Sequence, residues 1–313
     1  MDLTTDPHIL AIGEALIDIV TPISYPANSQ EIPGGSPANV AMTLGRLGRN
    51  VALQTWIGND SRGRMIMEHF GASNVLITEE SYGAQHTTTA NALINDAGSA
   101  SYTFDMEWAP SAPIHVSPQA RIVHAGSISA FVEPGATVVL DALVAARRHA
   151  LVTYDPNARP AIMGNPKLAL DKVSLFVAVS DVVKVSDEDI AWLTGGRNME
   201  DVIVEWLNMG PQIVIVTRGK EGALAVTSSG VRCESEPGDV AVVDTVGAGD
   251  SFMGGILDAM WEYGLVGAES RHKLRTLDEG TVKAILTRAD AISDITVSRA
   301  GANPPWREEL GAR

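Results

Sequence analysis

Apolar residues follow two alternating rhythms along much of this chain. Short runs rich in β-branched residues, RIVHAGS from Arg121, LVTYDPN from Leu151, DVVKVS from Asp181 and PQIVIVT from Pro211, have the length and composition of buried strands. Between them apolar residues recur at helical spacing around Val138 to His149, Lys167 to Val173 and Asp187 to Leu193. Strand and helix in alternation predict parallel strands joined by helical crossovers: an α/β fold with a doubly wound, mostly parallel sheet flanked by helices. The 313 residues read as a single domain of this kind, 1–313. Ligands of such sheets sit at the carboxyl ends of the strands.

The first third is less regular. His8 to Ile23 reads as one long strand or as two broken at Gly13-Glu14, and Asp18 interrupts an otherwise apolar alternation. A carboxylate there either faces solvent or serves as a ligand for hydroxyls. In Pro33-Gly-Gly-Ser-Pro-Ala-Asn39, Ser36 is a good N-cap and Pro37 suits the first helical position, with Asn39 in the first turn. Gly48 then supplies the C-cap, and Arg46 and Arg49 complement the helix dipole. Val51 to Ile57 is a strand running into the turn from Gly58 to Gly63. From Thr87 to Asp105 the pattern becomes β-like around an Asp96-Ala-Gly-Ser99 turn, which predicts a hairpin. With the strands around Asp18 and Glu31 it makes a small separate sheet over roughly 14–32 and 87–108, where Phe104 and Trp108 either line a site or simply pack.

Composition narrows the field. The chain is 45% hydrophobic, enough to bury a sizeable core, and 23 Lys and Arg against 38 Asp and Glu give a formal charge of −15 without any basic block. Nucleic acid and anionic membrane are therefore not expected as partners. One cysteine, Cys233, rules out an intrachain disulfide and suits a reducing cytoplasm. No basic segment followed by an apolar stretch opens the chain, and no apolar run approaches membrane-spanning length.

The candidate chemistry is concentrated in Asp244-Thr-Val-Gly-Ala-Gly-Asp-Ser-Phe-Met-Gly-Gly-Ile-Leu257. It follows a β-like run, Asp239 to Val243, and leads into Met253, Ile256, Leu257 and Met260 at helical spacing. Gly247, Ala248 and Gly249 thus fall where a helix begins, and unpaired amides and the helix dipole favour an anion there. An acid beside an anion site is electrostatically awkward unless it works as a base, taking a proton from a hydroxyl while the amides stabilise a phosphoryl group in flight. Asp250 is that candidate, or else simply the acid of a capped helix. Gly254 and Gly255 inside the helix each cost about 1 kcal/mol relative to alanine, which predicts a close neighbour.

Further polar clusters stand at predicted strand ends. Asp155-Pro-Asn157-Ala-Arg159 is a turn or a ligand loop, and Lys184-Val-Ser186-Asp-Glu-Asp189 contains a helix cap or a metal site. Thr217-Arg-Gly219-Lys-Glu-Gly222 is a tight connection or a cradle for a nucleotide tail. There is no G-x-x-x-x-G-K-[ST], and no G-x-G-x-x-G follows the first strand, so neither a P-loop nor a dinucleotide fold is expected.

D-T-V-G-A-G-D-S-F-M-G-G-I-L and G-G-S-P-A-N-V-A, with Gly48 and Gly58 at their spacings, resemble the C- and N-terminal signatures of the ribokinase-like (PfkB) carbohydrate kinases. The resemblance spans essentially the whole chain. It implies ATP-dependent transfer of the γ-phosphoryl group to a sugar's primary hydroxyl, Mg²⁺ with ATP as cofactor, a β lid over the sugar, and in several members a homodimer through that lid. It also implies Asp250 as base with the Gly247 to Asp250 amides as anion hole, and Asp18, Gly34, Gly35 and Asn39 on the sugar. Lys184, Thr217, Gly219 and Gly222 would stand near the nucleotide. Asp244 and Val246, with the segment near Arg299 and Gly301, resemble a monovalent-cation site, which makes K⁺ a candidate. Two positions depart from the family pattern. Its N-x-x-E, tied to magnesium, is here Ser186-x-x-Asp189, so Asp189 acts through water or Asp187 or Glu188 substitutes; and Pro305 stands where a potassium site would offer a hydroxyl. G-E-A-L-I-D at 13–18, D-P-N-A-R-P at 155–160 and V-K-V-S-D-E-D at 183–189 look most like bacterial fructokinases, with Arg159 on the sugar or phosphoryl. The alternatives are 2-keto-3-deoxygluconate kinase, less so a ribose or nucleoside kinase, and a non-catalytic binding protein of the same fold.

Overall fold

The computed structural model describes residues 1–94 and 100–311, with side chains left undescribed at 100–102. The chain opens with β1 (His8–Ile12), rises out of the core as β2 (Leu16–Pro22) and β3 (Gln30–Gly34), and returns through α1 (Ser36–Arg46). β4 (Val51–Gln54), a short β5 (Ile57–Gly58), α2 (Ser61–Gly71), β6 (Leu76–Ile77) and β7 (Tyr82–Ala84) lead to a second excursion, β8 (Thr89–Ile94) and β9 (Ala100–Asp105). Regular alternation then sets in with β10 (Ala120–Gly126), α3 (Gly135–Ala146), β11 (Leu151–Asp155), α4 (Pro160–Met163), α5 (Pro166–Val179) and β12 (Val182–Ser186). It continues through α6 (Asp187–Thr194), α7 (Met199–Met209), β13 (Ile213–Thr217), β14 (Ala223–Thr227) and β15 (Arg232–Ser235). The last elements are helical: α8 (Ala248–Glu262), α9 (Arg271–Leu274) and α10 (Glu279–Val297).

The large sheet runs β15-β14-β13-β12-β11-β10-β1-β4-β6, parallel except where β14 pairs antiparallel with β13 and β15. This is the mostly parallel α/β sheet expected from the alternation. Its central strands are buried on both faces: α1, α8 and α10 cover one through Met42, Met253 and Ile285, while α3, α5 and α7 cover the other through Val139, Phe176 and Trp206. Cys233 is a buried part of the first core. The direction of winding reverses at β1, between β4 and β10, and this switch point opens a crevice at the carboxyl ends of the strands. The small second sheet, β3-β2-β8-β9, stands over that crevice. Its expected Asp96–Ser99 turn lies outside the described residues.

Gly254 and Gly255 find their neighbours. A Cβ on Gly254 would stand 2.6 Å from Thr43 Cγ2 of α1, and one on Gly255 2.7 Å from the Ala289 Cα of α10, so α8 is wedged between two helices. Four expectations change. Asp239 to Val243 forms no strand, with Val242 and Val243 each 63% exposed. The sheet already ends at β15, and the run is tied down only where the Val243 and Asp244 amides reach Val297 O. Val51 to Ile57 splits at Thr55, whose amide bonds Ser81 and whose hydroxyl takes the Ala15 amide. The N-cap of α1 is Gly35, not Ser36. The C-terminal RAGANPPWREELGAR loses periodicity and reads as a surface run, yet Leu310 packs into a cluster with Leu47 and Ile292.

Because the neighbour of Gly255 is backbone, Gly255→Ala forces the two helices apart. We expect a loss of roughly 1–3 kcal/mol by chemical denaturation; unchanged stability would show that α8 and α10 separate without cost.

Candidate active site

A cleft of about 570 Å³ opens between the lid sheet and the carboxyl ends of the central strands. Asp250 sits at its inner end, in the first turn of α8 and 7% exposed. The turn that brings it there needs Gly247, which caps α8 in the left-handed region at φ 75°. The Ala248 amide bends back to Thr245 O at 3.2 Å. That leaves the amides of Gly249 and Asp250 to face an anion.

Both oxygens of Asp250 are engaged. Ser36 Oγ donates to Oδ1 at 2.7 Å and Asn39 Nδ2 to Oδ2 at 2.8 Å, both from the start of α1. Asn157 Nδ2 adds a longer bond to Oδ1 at 3.2 Å. Burial raises the Asp250 carboxyl above its ordinary value, opposed by the bonds from Asn39 and Ser36 and by the charge of Arg159. A carboxyl so held, elevated yet bonded in its ionised form, is suited to accept a proton near neutrality.

Asp18 faces the cleft and not bulk solvent. It lines the cleft, close enough to Gly34 that a Cβ there would meet its Oδ2 at 2.6 Å, and burial lifts its carboxyl to about 6 against the pull of Arg159. Gly35 and Asn39 also line the cleft, and Asn39 Oδ1, buried without a partner among the described residues, points to an absent donor. Arg159 is the one cation among the described lining residues, and its Nη1 is held by Asn157 Oδ1 at 2.6 Å. Phe104 lines the cleft, whereas Trp108 is core, donating its indole N–H to Ser129 O.

Lys184 is fully buried beneath the helix start. Its Nζ bonds Asp155 Oδ2 at 2.9 Å and would lie 2.9 Å from a Cβ on Gly249. Burial opposes its charge, but Asp155, Asp189 and Asp250 outweigh that and raise its affinity for the proton. Asp189 caps nothing itself: Ser186 Oγ accepts its amide, and its Oδ1 takes the Ala158 N–H at 3.1 Å. Burial and the neighbouring Asp155 raise its carboxyl. Among the described residues no group of three or more His, Cys, Asp or Glu is placed to hold a metal ion. Asp187 and Glu188 are exposed.

Other expected residues are placed elsewhere. Thr217, Gly219 and Gly222 do not line the cleft; they make the tight β13–β14 connection, closed by the Arg218 amide on Gly222 O at 2.7 Å. Asp244 acts as a brace, accepting the Val246 amide at 3.0 Å and the Gly301 amide at 2.8 Å, which holds its carboxyl below the usual range. Val246 lines the cleft, and Pro305 is buried.

Glu14 was legible only as the break between two strands. It is 5% exposed and lines the cleft, with Oε2 on the Ser129 amide at 3.1 Å, and burial pushes its carboxyl to about 7. The sequence holds no signal for this, since the partners come from the turn after β10.

A buried, hydrogen-bonded carboxylate, amides at a helix start and a polar cleft beneath a second sheet are features that phosphoryl transfer to a hydroxyl would use. The sequence profile of the pfkB family carbohydrate kinases matches residues 6–309, and the chain belongs to that family: it is a sugar kinase. It is 32% identical to a probable fructokinase-4 of Arabidopsis thaliana over 95% of this chain and 92% of the relative. It is 33% identical to a fructokinase of Rhizobium leguminosarum bv. trifolii over 88% and 85%. Among solved structures, the fructokinase with bound ATP from Xylella fastidiosa superposes with a TM-score of 0.82 at 26% identity, covering 97% of this chain and 98% of that one.

Glu14 yields a stability prediction. An ordinary glutamate titrates near 4.5 and the folded one near 7, so the folded state holds the proton more tightly. Stability should therefore fall as pH rises from about 4.5 to about 7, by at most roughly 3.5 kcal/mol, and level off above. Glu14→Gln removes that slope; an unaltered slope in the variant would assign it to another group.

Proposed function

We propose that this sugar kinase transfers the γ-phosphoryl group of ATP to a primary hydroxyl of fructose. The observation that carries the reading is Asp250, buried, doubly bonded and set beside the open amides of α8, where a hydroxyl and a phosphoryl group meet. The acceptor hydroxyl gives its proton to the Asp250 carboxylate as its oxygen bonds to the γ-phosphorus. The bond from that phosphorus to the bridging oxygen breaks, and ADP leaves. The Gly249 and Asp250 amides hold the charge on the moving group, with Lys184 beneath them. Mg²⁺, held through water near Asp189, would neutralise the nucleotide phosphates. Asp18 and Asn39 orient the sugar hydroxyls, and the lid keeps water from the nucleotide.

The charge of the cleft supports a neutral sugar. Glu14, Asp18 and Asp250 face a single guanidinium, Arg159, so the carboxylate of 2-keto-3-deoxygluconate would meet more repulsion than attraction. The exposed Ile23, Tyr25 and Leu93 of the lid region are compatible with a homodimer through the lid.

ADP release from MgATP, measured with fructose, 2-keto-3-deoxygluconate, ribose, glucose and adenosine, tests the substrate; fast turnover on a sugar other than fructose would displace it. Asp250→Asn should keep the fold and sugar binding while losing turnover by ~10²–10⁴-fold, and near-normal turnover would remove it from the role of base. The KM for the sugar should rise as pH falls through about 6, where Asp18 becomes protonated. Asp18→Asn should abolish that rise; if the rise persists, Asp18 does not hold the sugar.

A further inference from the structure

Ser36 should cap α1 by its residue type, but Gly35 takes the cap at φ 113°, a conformation that glutamyl backbone crowding reserves for glycine, since a Cβ would stand 2.3 Å from Glu14 O. The hydroxyl of Ser36 is thereby released from helix capping. It donates to Asp250 Oδ1 at 2.7 Å and accepts from Asn157 Nδ2 at 2.7 Å, which uses its one proton and one of its lone pairs. Asn157 is itself held in the left-handed region, at φ 36°, on the turn after β11. Its amide has one tolerable orientation, because Oδ1 accepts from Arg159 Nη1 at 2.6 Å and a flipped amide would present N–H groups to the guanidinium.

These bonds form a chain, Arg159 to Asn157 to Ser36 to Asp250, in which every donor points toward the carboxylate. Such a chain polarises in one direction and favours the ionised form at its end. We propose that Ser36 and Asn157 are positioning residues of the phosphoryl-transfer site, relaying the charge of Arg159 to Asp250 so that the buried base stays ionised and aimed at the acceptor hydroxyl. This rests on Asp250 being the base. The other charged groups around that carboxyl are Asp155, which opposes ionisation, and Lys184 from β12, which is already paired with Asp155; α1 contributes the neutral Asn39.

The test is the pH profile of kcat/KM for the accepted sugar in Ser36→Ala and in Asn157→Gly, the latter chosen because glycine keeps the left-handed backbone while removing the amide. Loss of a donor to the ionised form raises the pKa of the base, so the acid limb should move to higher pH by about half a unit or more in each variant. In Ser36→Ala the limb should move, whereas a merely structural role would lower the whole profile and leave the limb in place. Thermal unfolding confirms that both variants fold. Unmoved limbs in both variants, with Asp250→Asn inactive, would overturn the relay and leave the base assignment standing. An active Asp250→Asn would overturn both.

Discussion

The site depends on keeping a carboxylate charged where water is scarce. Removing Asp250 from solvent disfavours its ionised form, and the chain answers by converging donors from the start of α1 and the turn after β11. That convergence requires α1 and α8 to approach closely, which in turn requires Gly254, while Gly255 admits α10 on the other side of α8. The packing of three helices on one face of the sheet and the chemistry at its edge are thus one constraint seen at two scales.

Lys184 shows the same economy from below. A lysine 3% exposed would ordinarily lose its proton, but Asp155, Asp189 and Asp250 surround it closely enough to keep it cationic. Positive charge is thereby stored under the amides of α8 without a flexible side chain entering the cleft, where the one guanidinium among the described lining residues bonds Asn157. The acidic surface of the chain leaves attraction for a nucleotide to this local arrangement.

Much of the frame was legible because it rests on local rules. From Arg121 onward the alternation of β-branched runs and helical spacing marks strands and helices that the structure contains. Gly247 to Asp250 is recognisable since an anion-binding helix start needs small residues and a cap. What failed was non-local. Asp239 to Val243 has the composition of a strand, yet it pairs with no strand of the sheet and its Val243 amide bonds Val297 O of α10 instead. Ser36 has the propensity of a cap, yet its partner lies 214 residues away. Glu14 looks like a strand break because nothing in its neighbours announces Ser129. Thr217, Gly219 and Gly222 make the tight connection legible in their spacing, and that geometry leaves their reading as a nucleotide cradle open.

The span from Ser36 to Asp250 also bears on how the molecule comes into being. A ribosome must synthesise four-fifths of the chain before Asp250 emerges, so nascent chains carry Ser36 and Asn39 without the carboxylate they bond. Contacts this distant in sequence close late, after the loop entropy between them has been overcome. A fragment released early therefore lacks this contact, and its closure during refolding marks the moment when these two distant parts of the polypeptide have found each other.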